Sequence, residues 1–196
     1  MKILLIADEE QAGLWDYYRP GMLKDYAMIL SAGDLKPDYL SFLVTMSNRP
    51  LLYVRGNHDG IYDRKPPEGC DSIEGRIVKM NGLRILGLGG ARMFSGGPDQ
   101  YSERQMRMRI MKLRFQLWRH RGVDIVVSHA PIAGYGDMDD LAHRGFECFV
   151  KLVEKYQPKL WVHGHVHRRY GHQFQREMML GQTRIINASG KYEVEI

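Results

Sequence analysis

Short apolar runs recur along the chain, and most of them show no regular alternation with polar residues. Each run has the length of a β-strand, and continuous apolar character is typical of strands that are covered on both faces. We therefore predict strands at residues 2–7, 26–32, 51–54, 77–80, 83–89, 124–128, 159–163 and 183–189.

Two helices are predicted between these runs. Residues 37–47 begin with a proline, which favours the first turn of a helix, and carry apolar residues at helical spacing. Residues 145–156 show the same spacing and end before Pro158.

Two antiparallel hairpins are also predicted. Asn81-Gly82 joins two apolar runs and is a strong signal for a tight turn, and residues 170–189 predict a second hairpin around Gly181. The chain therefore mixes βαβ units with hairpins, and we expect a single domain over residues 1–196.

Residues 104–121 predict a helix with two apolar sides. In helical projection, one side carries Met106, Ile110, Leu113 and Leu117. The opposite side carries Met108, Met111, Phe115 and Trp118. An ordinary surface helix has one apolar stripe. The second stripe either is covered by a loop of the same chain or contacts another subunit, which would make a homodimer through this helix.

Charge, cysteine content and apolar run length limit which partners and which classes of protein fit this chain. The net charge of +5 and the isoelectric point near 9.2 favour anionic partners, although much of the excess lies within residues 104–121. Two cysteines are too few for a disulfide framework or a Cys-rich zinc site. No apolar run approaches membrane-spanning length, and the apolar stretch after Lys2 is too short for a signal peptide. We expect a cytoplasmic protein without a membrane partner.

Five predicted strands end in residues that commonly bind metals. The endings are Asp8 and Glu10, then Asp34, then Asn57, His58 and Asp59, then His129, and finally His165 and His167. Each ending alone could be an ordinary turn. In open α/β sheets, however, ligands bind at the carboxyl ends of the strands, so five such endings indicate one shared site.

The residue types indicate two divalent ions with a bridging carboxylate. Imidazole and oxygen ligands without a thiolate suit Mn, Fe, Zn or Ni, and they suit Mg less well. Two ions about 3.5–4 Å apart can clamp a phosphoryl group and generate a hydroxide for in-line attack.

The order Asp-x-(His), Gly-Asp, Gly-Asn-His-Asp, His and Gly-His-x-His resembles the calcineurin-like metallophosphoesterases. The resemblance spans residues 2–167, and residues 129–171 are most similar to the small metallophosphoesterases related to the fetal-brain 239 type. It implies an α/β fold, a four-layer α/β/β/α sandwich of two mixed sheets flanked by helices. It also implies hydrolysis of a phosphodiester, or of a phosphomonoester, by a metal-bridged hydroxide.

The resemblance further implies roles for individual residues. The first metal would be held by Asp8, Glu10, Asp34 and His167. The second would be held by the bridging Asp34 together with Asn57, His129 and His165. His58 would stabilise the phosphoryl group and help protonate the leaving oxygen, and Asp59 would orient His58 by a hydrogen bond.

Glu10 departs from the family pattern, which usually has a histidine there. As a ligand it would make the metal pair less positive by one charge, which favours Mn or Fe and a less acidic bridging water. Alternatively, Glu10 swings out and leaves a labile first site. The neighbouring Glu9 is expected to face solvent.

Residues 131–146 lie between two ligand-bearing strands and should overhang the site. Together with Asn57 and His58, the loop residues His143 and Arg144 are candidates for contacting a substrate phosphate. In the alternative interpretation, Asp137 and Arg144 only brace the loop against each other.

The favoured substrate is a small phosphate ester or a nucleotide. Two other functions are kept open. The first is a catalytically silent scaffold of the same fold, against which the presence of His58 speaks. The second is a nucleic-acid-binding protein that uses the basic segment 104–121, which is not favoured and would require binding that weakens steeply with salt.

Overall fold

The computed structural model describes residues 1–169 and 174–196, and it contains two large mixed sheets. Five strands form the first sheet in the order β13-β1-β2-β3-β4. Their bounds are β1 Lys2–Ala7, β2 Met28–Ser31, β3 Leu51–Tyr53, β4 Asp71–Ser72 and β13 Gly190–Glu195. β1, β2, β3 and β4 are parallel, and β13 runs antiparallel to β1. The carboxyl ends of β1, β2 and β3 therefore lie at one edge of the sheet.

The second sheet has six strands in the order β11-β12-β10-β9-β6-β5. Their bounds are β5 Ile77–Met80, β6 Leu83–Leu88, β9 Ile125–Ser128, β10 Leu160–His163, β11 Glu177–Leu180 and β12 Thr183–Asn187. β6, β9, β10 and β12 are parallel, and the outer strands β5 and β11 are antiparallel to their neighbours. A small third sheet pairs β7 Ala91–Arg92 with β8 Gln100–Tyr101.

The strands lack polar alternation because both of their faces are buried. In β1, Ile3 and Leu5 join the cluster that lies between the two sheets, whereas Leu4 and Ile6 join the cluster beneath α1 Pro37–Ser47. The outer face of the second sheet is covered by α2 Glu103–Lys112, α3 Arg114–Arg119 and α4 Glu147–Tyr156. The predicted four-layer α/β/β/α arrangement is therefore confirmed.

The helix predicted over residues 104–121 is divided into two. It begins with a capping box between Ser102 and Gln105, and Leu113 separates α2 from α3. The first predicted stripe packs in the core through Met106, Leu113 and Leu117. The second stripe, consisting of Met108, Met111, Phe115 and Trp118, is exposed. The interpretation that a loop of the chain covers it is therefore wrong.

The remaining predictions hold with small shifts. α1 has the predicted bounds, and α4 begins two residues later than expected. Asn81 and Gly82 both have positive φ, as a tight hairpin between β5 and β6 requires. The second hairpin is confirmed for β11 and β12 around Gly181, whereas its predicted residues 170–173 lie outside the described residues. No helix in the described part of the chain is both long enough and apolar enough to cross a membrane.

Candidate metal centre

Polar residues that follow strands of both sheets meet at one place. Asp34 follows β2 in the first sheet and His129 follows β9 in the second. Asp34 Oδ2 lies 3.3 Å from His129 Nε2, and both side chains are almost entirely buried. The carboxyl ends of the two sets of parallel strands are therefore brought together across the interface between the sheets.

Asp34, His129 and His165 form the centre of this group. One ligand atom from each residue lies within 4.8 Å of the other two. His129 Nε2 is 3.1 Å from His165 Nδ1 and 3.2 Å from Asn57 Oδ1. Four of the expected metal ligands thus lie around one small buried volume, which we call the central cluster.

Backbone carbonyls fix the orientation of both histidines. His129 Nδ1 lies 2.8 Å from the Ala32 carbonyl, and His165 Nε2 lies 2.7 Å from the Ala142 carbonyl. A carbonyl can only accept, so each of these nitrogens carries its hydrogen, and the second nitrogen of each ring faces the central cluster. This is the arrangement by which proteins orient metal-binding histidines.

In the central cluster, the pKa values of Asp34 and His129 are shifted because the two side chains lie close together. Burial alone would raise the pKa of Asp34, but His129 and the backbone N–H of His58 hold that pKa below its usual value. Burial alone would lower the pKa of His129, but the Asp34 carboxylate raises it to about 9. Burial lowers the pKa of His165 to about 3, so that ring is neutral at pH 7. A proton on His129 balances the negative charge of the Asp34 carboxylate, and a bound cation would balance the same charge.

Asp8 lies beside the central cluster. Its Oδ1 accepts a hydrogen bond from the His165 N–H at 2.9 Å, and its own N–H donates to the Gly33 carbonyl at 3.0 Å. Its Oδ2 is buried without a hydrogen-bond partner among the described residues. Burial raises the pKa of this carboxyl group. A buried acceptor without a partner costs roughly 1–3 kcal/mol, which a nearby cation would offset. The donor set therefore fits a divalent metal.

Unusual backbone conformations place these ligands. Asp8, Asp34 and His165 have φ values of 64°, 58° and 69°, which lie in the left-handed region that residues other than glycine seldom occupy. Gly56 allows the loops to approach, because a Cβ there would lie 2.0 Å from Asp34 Oδ1. Backbone strain of this kind clusters at functional sites.

Glu10 is held apart from the central cluster. Its Oε1 accepts a hydrogen bond from the Lys36 N–H at 3.2 Å, and its Oε2 pairs with Lys36 Nζ at 2.9 Å. Both carboxylate oxygens are therefore bound by Lys36, whereas the resemblance implies that they bind a metal. Asp8, Glu10 and His167 form no second group as close as the central cluster in the described part of the chain.

The surroundings of His167 and Asp59 also differ from the expectations. His167 Nδ1 lies 3.6 Å from Glu9 Oε1, so Glu9 does not simply face solvent.

Asp59 Oδ2 accepts hydrogen bonds from the Asp34 and Gly56 N–H groups, each at 2.8 Å. No hydrogen bond joins Asp59 to the His58 ring within residues 1–169 and 174–196. Asp59 holds the two ligand-bearing loops together instead of orienting His58.

The family model for calcineurin-like phosphoesterases matches residues 3–169. The chain belongs to this family. No curated protein matches it in sequence. This phosphoesterase-family chain is similar in fold to TT1561 of Thermus thermophilus, with a TM-score of 0.63 and 16% identity over 96% of this chain and 89% of that one.

Two further solved structures share the fold. A protein assigned as a 5′-nucleotidase from Staphylococcus aureus has a TM-score of 0.53 and 12% identity, and the match covers 99% of this chain but 50% of that protein. GAP50 of Plasmodium, described as the anchor in the inner membrane complex, has a TM-score of 0.55 and 16% identity over 96% of this chain and 71% of that one. At these identities the likeness shows the fold alone.

The loop over the central cluster gives this phosphoesterase-family chain its candidate substrate residues. The His143 ring centroid lies 5.2 Å from that of His165, and His143 Nδ1 lies 2.9 Å from Asp140 Oδ2. Asp140 was missed in the sequence, although its spacing of three residues from His143 was a usable signal. Arg144 and His58 are exposed.

Asp137 braces this loop, but not through Arg144. Its carboxylate accepts hydrogen bonds from the Gly134 N–H at 2.9 Å and from the Gly145 N–H at 3.0 Å. Arg144 forms no ion pair with Asp137 in the described part of the chain. The mutual bracing of the two side chains is therefore wrong, and the Arg144 side chain lies at the surface.

Proposed function

We propose that the chain is a metal-dependent phosphoesterase whose central cluster binds a divalent ion. The observation that carries this proposal is the orientation of His129 and His165, whose carbonyl-bonded nitrogens leave the other two facing each other, Asp34 and Asn57. A structural histidine pair would need no such set of neighbouring oxygen donors. Asp34, Asp8 and His167 would hold a second ion.

Metal preference follows from the donor types. The set contains imidazole nitrogens, carboxylate oxygens and one amide oxygen without a thiolate, which favours Mn or Fe, admits Zn or Ni, and suits Mg less well. When bound, the ions would supply Lewis-acid activation of a water molecule and of the phosphoryl group.

The protein's own side chains would position the substrate. His58 is exposed at the edge of the central cluster, and its backbone N–H is anchored to Asp34 Oδ1 at 2.8 Å. Its imidazole is therefore placed to donate a proton to the leaving oxygen. His143, held by Asp140, and the exposed Arg144 would contact phosphate oxygens from the overhanging loop.

The proposed substrate is a small phosphodiester, with a nucleotide or another phosphomonoester as the alternative. The subfamily resemblance supports the diester. The fold shared with the Staphylococcus aureus protein assigned as a 5′-nucleotidase keeps the monoester in consideration.

Reconstitution with single metals tests the proposal. The metal-free protein is supplied separately with Mn, Fe, Ni, Zn or Mg and assayed on bis-(4-nitrophenyl) phosphate and on 4-nitrophenyl phosphate. We expect hydrolysis with Mn or Fe and faster turnover of the diester. His58→Ala should lower kcat while leaving the bound metal content unchanged, and exposed Lys79→Glu serves as the control. If no metal supports hydrolysis of either substrate, the proposal that the chain is a phosphoesterase is wrong.

One observation favours a second candidate, a catalytically silent scaffold. Glu10 replaces the usual histidine and is bound by Lys36, so the first metal position has fewer ready ligands. In that case the protein would bind metal at the central cluster and hydrolyse neither substrate.

A further inference from the structure

The side of the molecule formed by α2, α3 and α4 carries a row of exposed apolar side chains. Met108, Met111, Phe115 and Trp118 are 50%, 53%, 66% and 74% exposed. The rings of Phe115 and Trp118 lie side by side, with centroids 5.8 Å apart. We call these four residues the outer row. A group of large apolar side chains at such exposure is typical of an interaction surface.

A groove runs between α4 and three residues of the outer row, Met111, Phe115 and Trp118. It has a volume of about 1390 Å³ and is lined by Met111, Phe115, Trp118 and Tyr156, among others. A pocket of about 280 Å³ adjoins it and shares Met111 and Tyr156 in its lining. Small-molecule sites are usually on the order of 300–1,000 Å³. A groove of this volume suits a segment of polypeptide better than a small ligand.

Basic residues line the groove and the adjoining pocket from both sides. Arg114 and Lys155 line both, whereas Arg107 and Lys151 line only the pocket. Arg107 and Arg114 lie on α2 and α3, and Lys151 and Lys155 lie on α4. All four are exposed and form no ion pair within the described residues. An anionic partner would find complementary charge along both margins.

The charge is concentrated in this region. Residues 104–121 contain seven Arg and Lys residues and no acid, whereas acids outnumber bases by 23 to 21 in the rest of the chain. Only Arg109 among the seven has an ion pair in the described residues, which it forms with Glu74. A second copy of the chain would oppose these cations with the same cations, and such like-charge contacts are strongly unfavourable.

We propose that this groove binds an amphipathic helix of a partner protein that carries acidic residues along its flanks. The apolar face of that helix would fill the groove against the outer row and Tyr156, and its acids would pair with Arg107, Arg114, Lys151 and Lys155. A helix laid in an apolar groove is a recurring mode of recognition, and methionines adapt such surfaces to their ligands.

The probe is a fluorescein-labelled helical peptide with leucines on one face and glutamates on its flanks. A second peptide of the same composition has its leucines distributed around the helix. Fluorescence polarisation at physiological salt should show binding of the first peptide and at least tenfold weaker binding of the second. In the protein, Phe115→Ser with Trp118→Ser, and separately Arg114→Glu with Lys155→Glu, should each weaken binding about tenfold or more.

The matched controls are exposed residues elsewhere. Tyr17 is 75% exposed, and Tyr17→Ser should leave the affinity unchanged, as should Lys79→Glu. Unfolding curves confirm that each variant is folded. The same variants are tested with polyuridine and with phosphatidylcholine–phosphatidylglycerol vesicles.

Three outcomes would overturn the proposal. They are absence of peptide binding, equal binding of the two peptides, and peptide binding that survives both pairs of substitutions. Binding of polyuridine or vesicles through these residues without peptide binding would assign the surface to nucleic acid or to lipid instead.

Discussion

At the scale of single residues, the candidate site depends on hydrogen bonds that fix which atom of each ligand is available. The Ala32 and Ala142 carbonyls select the ring nitrogens of His129 and His165 that face the central cluster. Asp59 holds the Asp34 and Gly56 backbone together through one carboxylate oxygen. The candidate ligands are therefore preorganised, which would reduce the cost of ordering them around a metal.

Glu10 provides the prediction at this scale. Because both of its carboxylate oxygens are bound by Lys36, we expect Glu10→Gln to leave the Mn content per chain unchanged. Asp34→Asn should lower the Mn content, because it weakens the carboxylate at the centre of the cluster. Elemental analysis after equilibrium dialysis measures both.

Lys36→Met supplies the matched test of the same contact. It removes the Lys36 Nζ contact with Glu10 Oε2 without altering the central cluster, while the backbone N–H of residue 36 still donates to Glu10 Oε1. If Glu10→Gln lowers the Mn content as much as Asp34→Asn, Glu10 leaves Lys36 and binds metal, as the family resemblance implies.

At the scale of elements, the strands were predictable because their burial on both faces leaves continuous apolar runs. β1 and β5 have the predicted bounds, and the Asn81-Gly82 turn lies where the hairpin signal indicated. The helix over residues 104–121 was less predictable, because helical spacing does not show where a helix divides. The break at Leu113 depends on packing against the second sheet, which the local sequence does not encode.

The two stripes of this segment differ in their expected contribution to stability. Leu113 is 2% exposed and packs in the core, so Leu113→Ala should lower the free energy of unfolding by about 2–5 kcal/mol. Met111 is 53% exposed, so Met111→Ala should change it by about 0.5 kcal/mol or less. Urea unfolding measures both variants. Equal losses would show that the outer row is buried in solution.

At the scale of the whole molecule, the family motif predicted which strand endings meet, but not every contact around them. The order of Asp, Asn and His endings predicts that Asp34, Asn57, His129 and His165 lie together. The Glu10–Lys36 pair and the carbonyl of Ala142 arise from loops whose paths depend on the complete fold. Such contacts join residues distant in sequence, and no local pattern of residue types specifies them.

The central cluster joins the two sheets, so metal binding should stabilise the molecule as a whole. Asp34 and Asn57 follow strands of the first sheet, whereas His129 and His165 follow strands of the second. A ligand that binds only the folded state adds about 2.7 kcal/mol when its free concentration is one hundred times Kd. We therefore expect Mn to raise the Tm of the metal-free protein, and EDTA to reverse the rise.

The quantity to compare between variants is the increase in Tm on adding Mn, because Tm itself also changes when a substitution alters the stability of the metal-free protein. His165→Ala removes a donor from the second sheet and should abolish most of the increase, even if the variant is less stable without metal. Lys191→Glu, at an exposed position on β13, should retain the full increase. An equal Mn-dependent shift in His165→Ala would place the stabilising ion elsewhere in the molecule. If the Mn-dependent increase in Tm is lost in His165→Ala but kept in Lys191→Glu, the ion that stabilises the protein binds at the central cluster between the two sheets.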